Sequence, residues 1–371
     1  MHHASLFRSY RGTFVVLSSN GAMVSSRIWH ACEGARQIER VEALSGTPRV
    51  VFRREEEVRT FLPQARVVRS ELRDVPGAFP RVADAKGVHP SQHYALRALG
   101  QERVAGRDAD RLLFQPRDAW RFGYQIWVDR VSGLVVKMQT LDGEGRLLEQ
   151  AAFSELNLDV PADLSRIEQM MEDLQGYRLV KVPLQRTTAE AQGWTMGKAV
   201  TGFVSQGCYR KDVMAMASGP LLQCIYSDGL ATLSVFVEPF DAARHAASVR
   251  SASMGATQVV GRQVHKTAWV TAVGEVPART LQRFIESVQR KDDCCAAFPV
   301  CGNQCAPLSH KPLFPLLRIV WKRKADDDET PCKARMVALR YGHRLGNGRR
   351  RLGGGARFGA GPACCRGAWP A

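Results

Sequence analysis

The sequence predicts an α+β protein: a large, strongly curved antiparallel sheet, in effect a half-barrel, followed by a smaller sheet-and-helix unit. Three observations carry this expectation. Between Arg103 and Leu156, four runs rich in aliphatic, aromatic and β-branched residues are separated by clusters of Pro, Gly and Asp, the mark of an antiparallel meander. Similar runs precede it, so about ten strands fall before residue 158, and a sheet that large accumulates twist and curls. Apolar spacing then turns helical at two places, near residues 160–175 and 277–288.

The elements follow in order. Gly12–Leu17 and Met23–Ala31 flank Asn20-Gly21, a strong hairpin turn because both residues tolerate positive φ. Gln37–Leu44, Arg49–Phe52, Val58–Leu62 and Ala65–Ser70 are short and bounded by Gly, Pro or charge clusters. Residues 71–92 carry Pro76, Gly77, Pro80, Gly87 and Pro90 and read as a long loop with room for a short helix. The meander resumes near Tyr94. Its runs are Asp110–Gln115, Tyr124–Asp129, Leu134–Leu141 and Leu147–Leu156, with Asp142-Gly143 a second strong turn signal.

Val160–Gln175 places Leu164, Ile167, Met170, Met171 and Leu174 on one helical face, with Pro161 suited to a first turn and Gly176 to an end. The stripe reads as core packing, with a bridge or lid as the functional option. Tyr177–Val182, Phe203–Arg210, Leu221–Tyr226 and Thr232–Val237 are expected strands of a second unit, with Ser227-Asp228-Gly229 a tight turn. Asp241–Val249 suits a short helix, and Gln258–Val260 with Val264–Val273 suits a hairpin. Pro277 then opens a helix with Leu281, Phe284, Ile285 and Val288 on one face. The expected division is residues 1–160, a connecting helix at 161–176, a small α+β unit at 177–290, and a Cys-, Gly- and Arg-rich tail at 291–371 that reads as disordered or out of frame.

Composition limits the function. Of 371 residues 45% are hydrophobic and 24% charged, the profile of a globular protein. No run approaches the roughly 18 apolar residues a membrane span needs. The net charge is +16, but residues 291–371 hold 15 Lys and Arg against 6 Asp and Glu, so more than half the excess sits in the tail. The body is mildly basic, which fits a solvated surface or contact with an anionic partner such as lipid headgroups. It carries no recognised nucleic-acid motif, and none is expected as a partner. The opening MHHASLFRSYRGTF lacks the apolar core of a secretory signal and, read alone, places the protein in the cytoplasm.

Candidate chemistry is thin. His89 and His93 are four apart, but Pro90 follows His89 and the Glu of a zinc-protease motif is missing. Cys294, Cys295, Cys301 and Cys305 have irregular spacing for a thiolate zinc site. Asp108, Asp110 and Asp118 sit in turns or at strand starts, where Asp is favoured anyway. With no Gly-x-Ser-x-Gly, P-loop or dinucleotide fingerprint, catalysis, a metal and a cofactor are not expected. Cys208 and Cys224 face each other if a hairpin joins their runs with its centre near Met216. Directly opposed Cβ atoms lie about 4.5–5.5 Å apart, slightly beyond the usual disulfide distance. A bond in an oxidising compartment and a buried pair of free thiols both fit.

Several segments together resemble the MucB/RseB family of envelope-stress sigma factor regulators from Gram-negative bacteria. They are Tyr10–His30, Arg103–Leu156, Tyr226–Phe240 and Val270–Val288, in the family's order and spread over residues 8–290. The resemblance implies a periplasmic protein of two domains. The larger would resemble the lipoprotein carriers LolA and LolB, with helices over the concave face of its sheet. It implies binding to the periplasmic part of a membrane-spanning anti-sigma factor of the RseA/MucA kind, protection of that partner from proteolysis, and release by lipid or lipopolysaccharide. It also implies a signal peptide and more of a first helix before Tyr10, which points to a start codon upstream of Met1; the tail after Lys291 has no counterpart in the family.

The expected function is therefore a negative regulator without enzymatic activity. A concave apolar sheet can bury an acyl chain at about 0.8 kcal/mol per methylene. Phe14, Trp29, Phe61, Tyr124 and Ile126 are the candidate groove-lining residues. Period-two alternation leaves their facing open, and core packing is the commoner role of such side chains. The second unit is expected to make much of the contact with the anti-sigma factor. Self-association is compatible with the sequence. The alternatives are a periplasmic lipid or lipoprotein carrier without a regulatory partner, and a cytosolic nucleic-acid binder acting through the basic tail.

Overall fold

The computed structural model describes residues 4, 7–72, 79, 89–158, 160–161, 163–211, 221–245 and 250–291. The tail, with Cys294, Cys295, Cys301 and Cys305, lies outside the described residues, as does most of the 71–92 loop.

Alternating apolar residues build one sheet of twelve strands. Its first run is β1 (Tyr10–Ser18), β2 (Met23–Glu33), β3 (Arg36–Ala43), β4 (Val50–Arg54), β5 (Glu57–Leu62) and β6 (Val67–Leu72). After the short helix α1 (Pro90–His93) come β7 (Tyr94–Val104), β8 (Arg107–Pro116), β9 (Gly123–Asp129), β10 (Val135–Leu141) and β11 (Leu147–Leu158). Consecutive hairpins make two meanders, and the pairing of β1 with β11 joins them. The sheet is open, ending at β7 on one side and on the other at β12 (Arg178–Lys181), which lies parallel to β6. Tyr177–Val182 was expected in the second unit. It extends the first sheet instead, because Arg178–Lys181 pairs with Val67–Ser70.

The register divides the side chains between two faces. Phe14, Ile28, Phe153, Ile126 and Tyr124 share one face, with Phe14 opposite Phe153. Trp29, Ala31, Ile38, Phe52 and Phe61 share the other. Helix α2 (Leu164–Glu172) covers the second face: its buried Leu164, Ile167 and Met171 pack on Ala31, Ile38, Phe52, Phe61 and Val68. Such burial contributes about 1.5–3 kcal/mol per large side chain. Asp163, not Pro161, starts the helix, accepting a bond from the Arg166 N–H at 3.1 Å. Glu172 meets Arg59 at 2.6 Å and Arg54 at 2.9 Å, which fixes the helix's end over β4 and β5.

A second sheet of seven strands follows, in the order β13-β15-β16-β17-β20-β19-β18. Its strands are β13 (Leu184–Thr187), β15 (Val204–Lys211), β16 (Leu221–Ser227), β17 (Thr232–Pro239), β18 (Arg250–Met254), β19 (Thr257–His265) and β20 (Ala268–Gly274). Helix α3 (Ala278–Glu286) buries Leu281, Phe284 and Ile285 against it, and β14 (Trp194–Met196) pairs with β21 (Val288–Arg290). Asp241–His245, expected to begin a helix, is a turn in which Arg244 and His245 donate to the Asp241 carbonyl. The expected run Val264–Val273 is broken: β19 ends at His265 and β20 starts at Ala268, so the hairpin turns two residues into it.

Candidate functional site

The two sheets meet at a buried charged junction. Arg121 comes from the loop between β8 and β9, and Asp228 from the turn between β16 and β17. Arg121 Nε donates to Asp228 Oδ2 at 2.8 Å, and both side chains are closed to solvent. The Tyr94 hydroxyl donates to the same oxygen at 2.9 Å. The other Asp228 oxygen accepts the backbone N–H groups of Leu230 and Ala231, so this carboxylate holds its own turn and the neighbouring sheet together. Arg121 also reaches Asp118 and donates to the Thr201 carbonyl at 2.6 Å, while its guanidinium lies 4.9 Å over the Phe203 ring. Gly202, at φ +89°, brings backbone against Arg121 and His93, where a side chain has no room. Trp120 and α3 add a further tie, through Thr280 Oγ1 and the Trp120 carbonyl at 2.7 Å.

Burial tunes the groups around this junction. It pushes the Tyr94 and Tyr124 hydroxyls well above the usual tyrosine range. Burial, helped by the Arg121 charge, holds His93 below the ordinary imidazole value. A second contact lies along the same seam: Glu149 of β11 accepts the Ala256 N–H of the second sheet. Burial raises Glu149, and it pushes Glu275 up to about 7, with the Glu149 charge acting in the same direction.

Cavities open at several places among the described residues. A cleft of about 1040 Å³ runs beside the junction, with Arg97, Arg117 and Arg146 from the first sheet and Gln258 and Arg279 from the second. A groove of about 400 Å³ lies between α2 and the first sheet, lined by Trp29, Ile167 and Met170 with Arg11, Arg40 and Arg166. A cavity of about 490 Å³ opens in the second sheet unit beside Phe203, Tyr226 and Phe284.

The five groove candidates do not come together. Phe14, Tyr124 and Ile126 lie on one face inside a packed cluster, with Phe14 in ring contact with Phe153 at 6.2 Å and Phe79 at 5.6 Å. Phe61 lies on the opposite face between Phe52 and Tyr177. Trp29, half-buried with the Arg40 guanidinium 4.2 Å over its ring, does line a cavity. The physical reason is the pleat: residues of opposite parity point to opposite faces and cannot share one trough. Asp118 binds Arg121, apart from Asp108 and Asp110, which share one face of β8 near Arg130. The register sets Cys208 opposite Cys224, and their sulfurs are bonded.

Two open, mainly antiparallel sheets, with clefts beside them and a buried charged junction, mark the class of a binding protein. Residues 1–171 match the MucB/RseB N-terminal domain and residues 188–289 the MucB/RseB C-terminal domain. The chain belongs to the MucB/RseB family. It is 32% identical over 295 residues to the sigma factor AlgU regulatory protein MucB of Pseudomonas aeruginosa, covering 76% of this chain and 86% of that protein. It is 26% identical over 289 residues to the sigma-E factor regulatory protein RseB of Escherichia coli K12, covering 78% and 88%. Among solved structures it resembles MucB in complex with MucA(peri), with TM-score 0.58 and 28% identity over 78% of this chain and 96% of that one. The Pseudomonas aeruginosa MucA/MucB complex gives TM-score 0.60 at the same identity and coverage.

Proposed function

We propose that this protein is a negative regulator of envelope-stress sigma factor signalling. It binds the periplasmic part of a membrane-spanning anti-sigma factor, shields it from proteolysis, and lets go when lipid or lipopolysaccharide binds. The observation that carries this reading is the similarity to MucB as it stands in complex with MucA(peri), which spans 96% of that chain and so both sheets of this one. A division into a large sheet domain with its connecting helix and a small α+β unit belongs to the same reading, with β12 moved to the first sheet, as does a periplasmic location. Among the described residues no helix is long and apolar enough to cross a membrane. The Cys208–Cys224 bond suits an oxidising compartment.

Release requires that lipid prefer one arrangement of the protein over another, since only differential affinity moves an equilibrium. The Arg121–Asp228 junction is a natural divider between two such arrangements, because a buried ion pair is either made in full or broken at large cost. The test is capture of a purified anti-sigma periplasmic domain, titrated with lipid. Retention that weakens with lipid, and lipid affinity that weakens by the same factor with the partner, is the expected result. A protein that ignores the anti-sigma domain but moves acylated cargo between vesicles is a carrier instead.

A further inference from the structure

We infer that the 490 Å³ cavity of the second sheet unit is the site for one saturated acyl chain, and that its occupancy is coupled to the junction between the sheets. The proposal rests on the reading above that a lipid is the releasing signal, and it moves that lipid away from the large sheet.

The cavity has the chemistry a hydrocarbon needs. Met196, Val200, Phe203, Val204, Tyr226 and Phe284 form its apolar wall, while Thr187, Thr188 and Ser205 also line it. Its size lies in the range of small-molecule pockets, about 300–1,000 Å³. The Tyr226 hydroxyl meets Met196 Sδ at 3.1 Å, so the one phenol in the wall has a partner within it. The other two cavities oppose a bare chain. The junction cleft is lined by arginines and carboxylates, and the α2 groove holds Arg11, Arg40 and Arg166, whose hydration a chain would strip. Apart from Trp29, which lines the α2 groove, Phe14, Phe52, Phe61 and Phe153 of the large sheet already pack in its two clusters. Lys198, exposed at the mouth of the cavity, can meet an anionic headgroup; Glu190 stands exposed at the same mouth. The shared chemistry is the chain, whichever headgroup carries it.

The coupling is covalent in origin. One segment, 197–205, forms a cavity wall and also seats Arg121. Thr201 accepts from Arg121, Gly202 lies against it, and Phe203 stacks beneath it while touching Phe284 edge-on at 5.6 Å. A chain pressing on Phe203 therefore presses on the residue that holds the sheets together.

The test is fluorescence titration of the full chain with a dansylated undecanoic acid, followed by displacement with fatty acids and lysophosphatidylethanolamines of increasing length. Affinity rises on the order of tenfold per two methylenes until the cavity is full. Val204 is 39% exposed, so Val204→Asp leaves the core intact while placing a carboxylate in the wall. It weakens the probe at least about tenfold, as does Ala199→Trp, which fills the space. Trp29→Ala, in the α2 groove, leaves the affinity unchanged. The reverse pattern, with Trp29→Ala harmful and the cavity variants neutral, overturns the assignment. Tyr94→Phe, which deletes one junction hydrogen bond, changes probe affinity at least about threefold by linkage; an unchanged affinity overturns the coupling. Partner capture is measured separately. Probe binding that obeys these variants yet releases no anti-sigma domain upholds the site and removes the regulatory reading alone.

Discussion

Arg121 and Asp228 stand 2.8 Å apart with neither side chain open to water, one on a loop of each sheet. Nothing in the local sequence of either residue requires the other. The pair exists because Tyr94, Asp118 and the Thr201 carbonyl complete the hydrogen bonding around it, which is the condition under which a buried ion pair is tolerated.

That condition predicts an asymmetry. Asp228→Asn and Arg121→Met each leave one charged or polar group buried without its partner and lower stability by roughly 3–5 kcal/mol. The double variant recovers much of that loss, because no orphaned charge remains. Urea unfolding of the four proteins reads the coupling directly. Single variants within about 0.5 kcal/mol of the parent would mean that water reaches the pair and the junction is only a surface contact.

The Glu275 carboxyl, pushed up to about 7, gives the seam a pH dependence. A carboxyl raised in the folded protein holds its proton more tightly there than in the unfolded chain. Its contribution to stability is therefore full below the ordinary value of 4.5 and is lost as pH rises through about 7. His93, lowered by burial and by Arg121, acts in the opposite sense: it penalises folding at low pH, and the penalty is gone once pH rises above the usual imidazole value. The difference between parent and Glu275→Gln isolates the first effect. The parent's urea midpoint falls relative to the variant's between about pH 5 and about pH 8. Parallel profiles would show that Glu275 is ionised throughout.

Local patterns were legible where the physics is local. The stripe Leu164, Ile167 and Met171 gave α2, and Leu281, Phe284 and Ile285 gave α3, because burial of one helical face repeats every three or four residues. Strand β18 is not legible in the sequence: Arg250–Met254 is exposed throughout and shows no alternation, and only its pairing with β19 makes it a strand. The sheet that β12 joins is not legible in its sequence, because parallel pairing with β6 joins residues more than a hundred apart. Asp228 was visible only as a turn residue. It is one, through Leu230 and Ala231, and its second oxygen takes Arg121 and Tyr94, partners more than a hundred residues away. The five groove residues divide between two faces for a related reason: type and hydrophobicity are visible in a string, but the face each side chain takes depends on register.

The Cys208–Cys224 bond closes a span of 16 residues. In the chain-entropy account such a loop is worth about 3 kcal/mol. Reduction, or the paired substitution Cys208→Ser with Cys224→Ser, lowers stability by about that amount. The check is a thiol count on residues 1–291 before and after reduction, alongside unfolding in both states. Equal counts would mean that the pair is not bonded in solution, and the support it lends to an oxidising compartment would go with it.

Phe14 and Trp29 separate the core from the surface on the first sheet. Phe14 is buried between Phe79 and Phe153, so Phe14→Ala opens a cavity and costs roughly 3–5 kcal/mol. Trp29 is half-buried, and its ring is covered by the Arg40 guanidinium, which also pairs with Glu42 at 3.0 Å. Trp29→Ala forfeits a cation–π contact of about 0.5–1 kcal/mol together with part of its packing, and so costs less than Phe14→Ala. The ranking matters for function. A residue that lines an open trough has one side facing ligand or water, and its removal costs the empty protein little. If Phe14→Ala proves nearly neutral in urea unfolding without lipid, the ring is not held by its neighbours and the face it occupies opens in solution. A large loss places the ring in the permanent core and leaves the acyl chain to the second sheet.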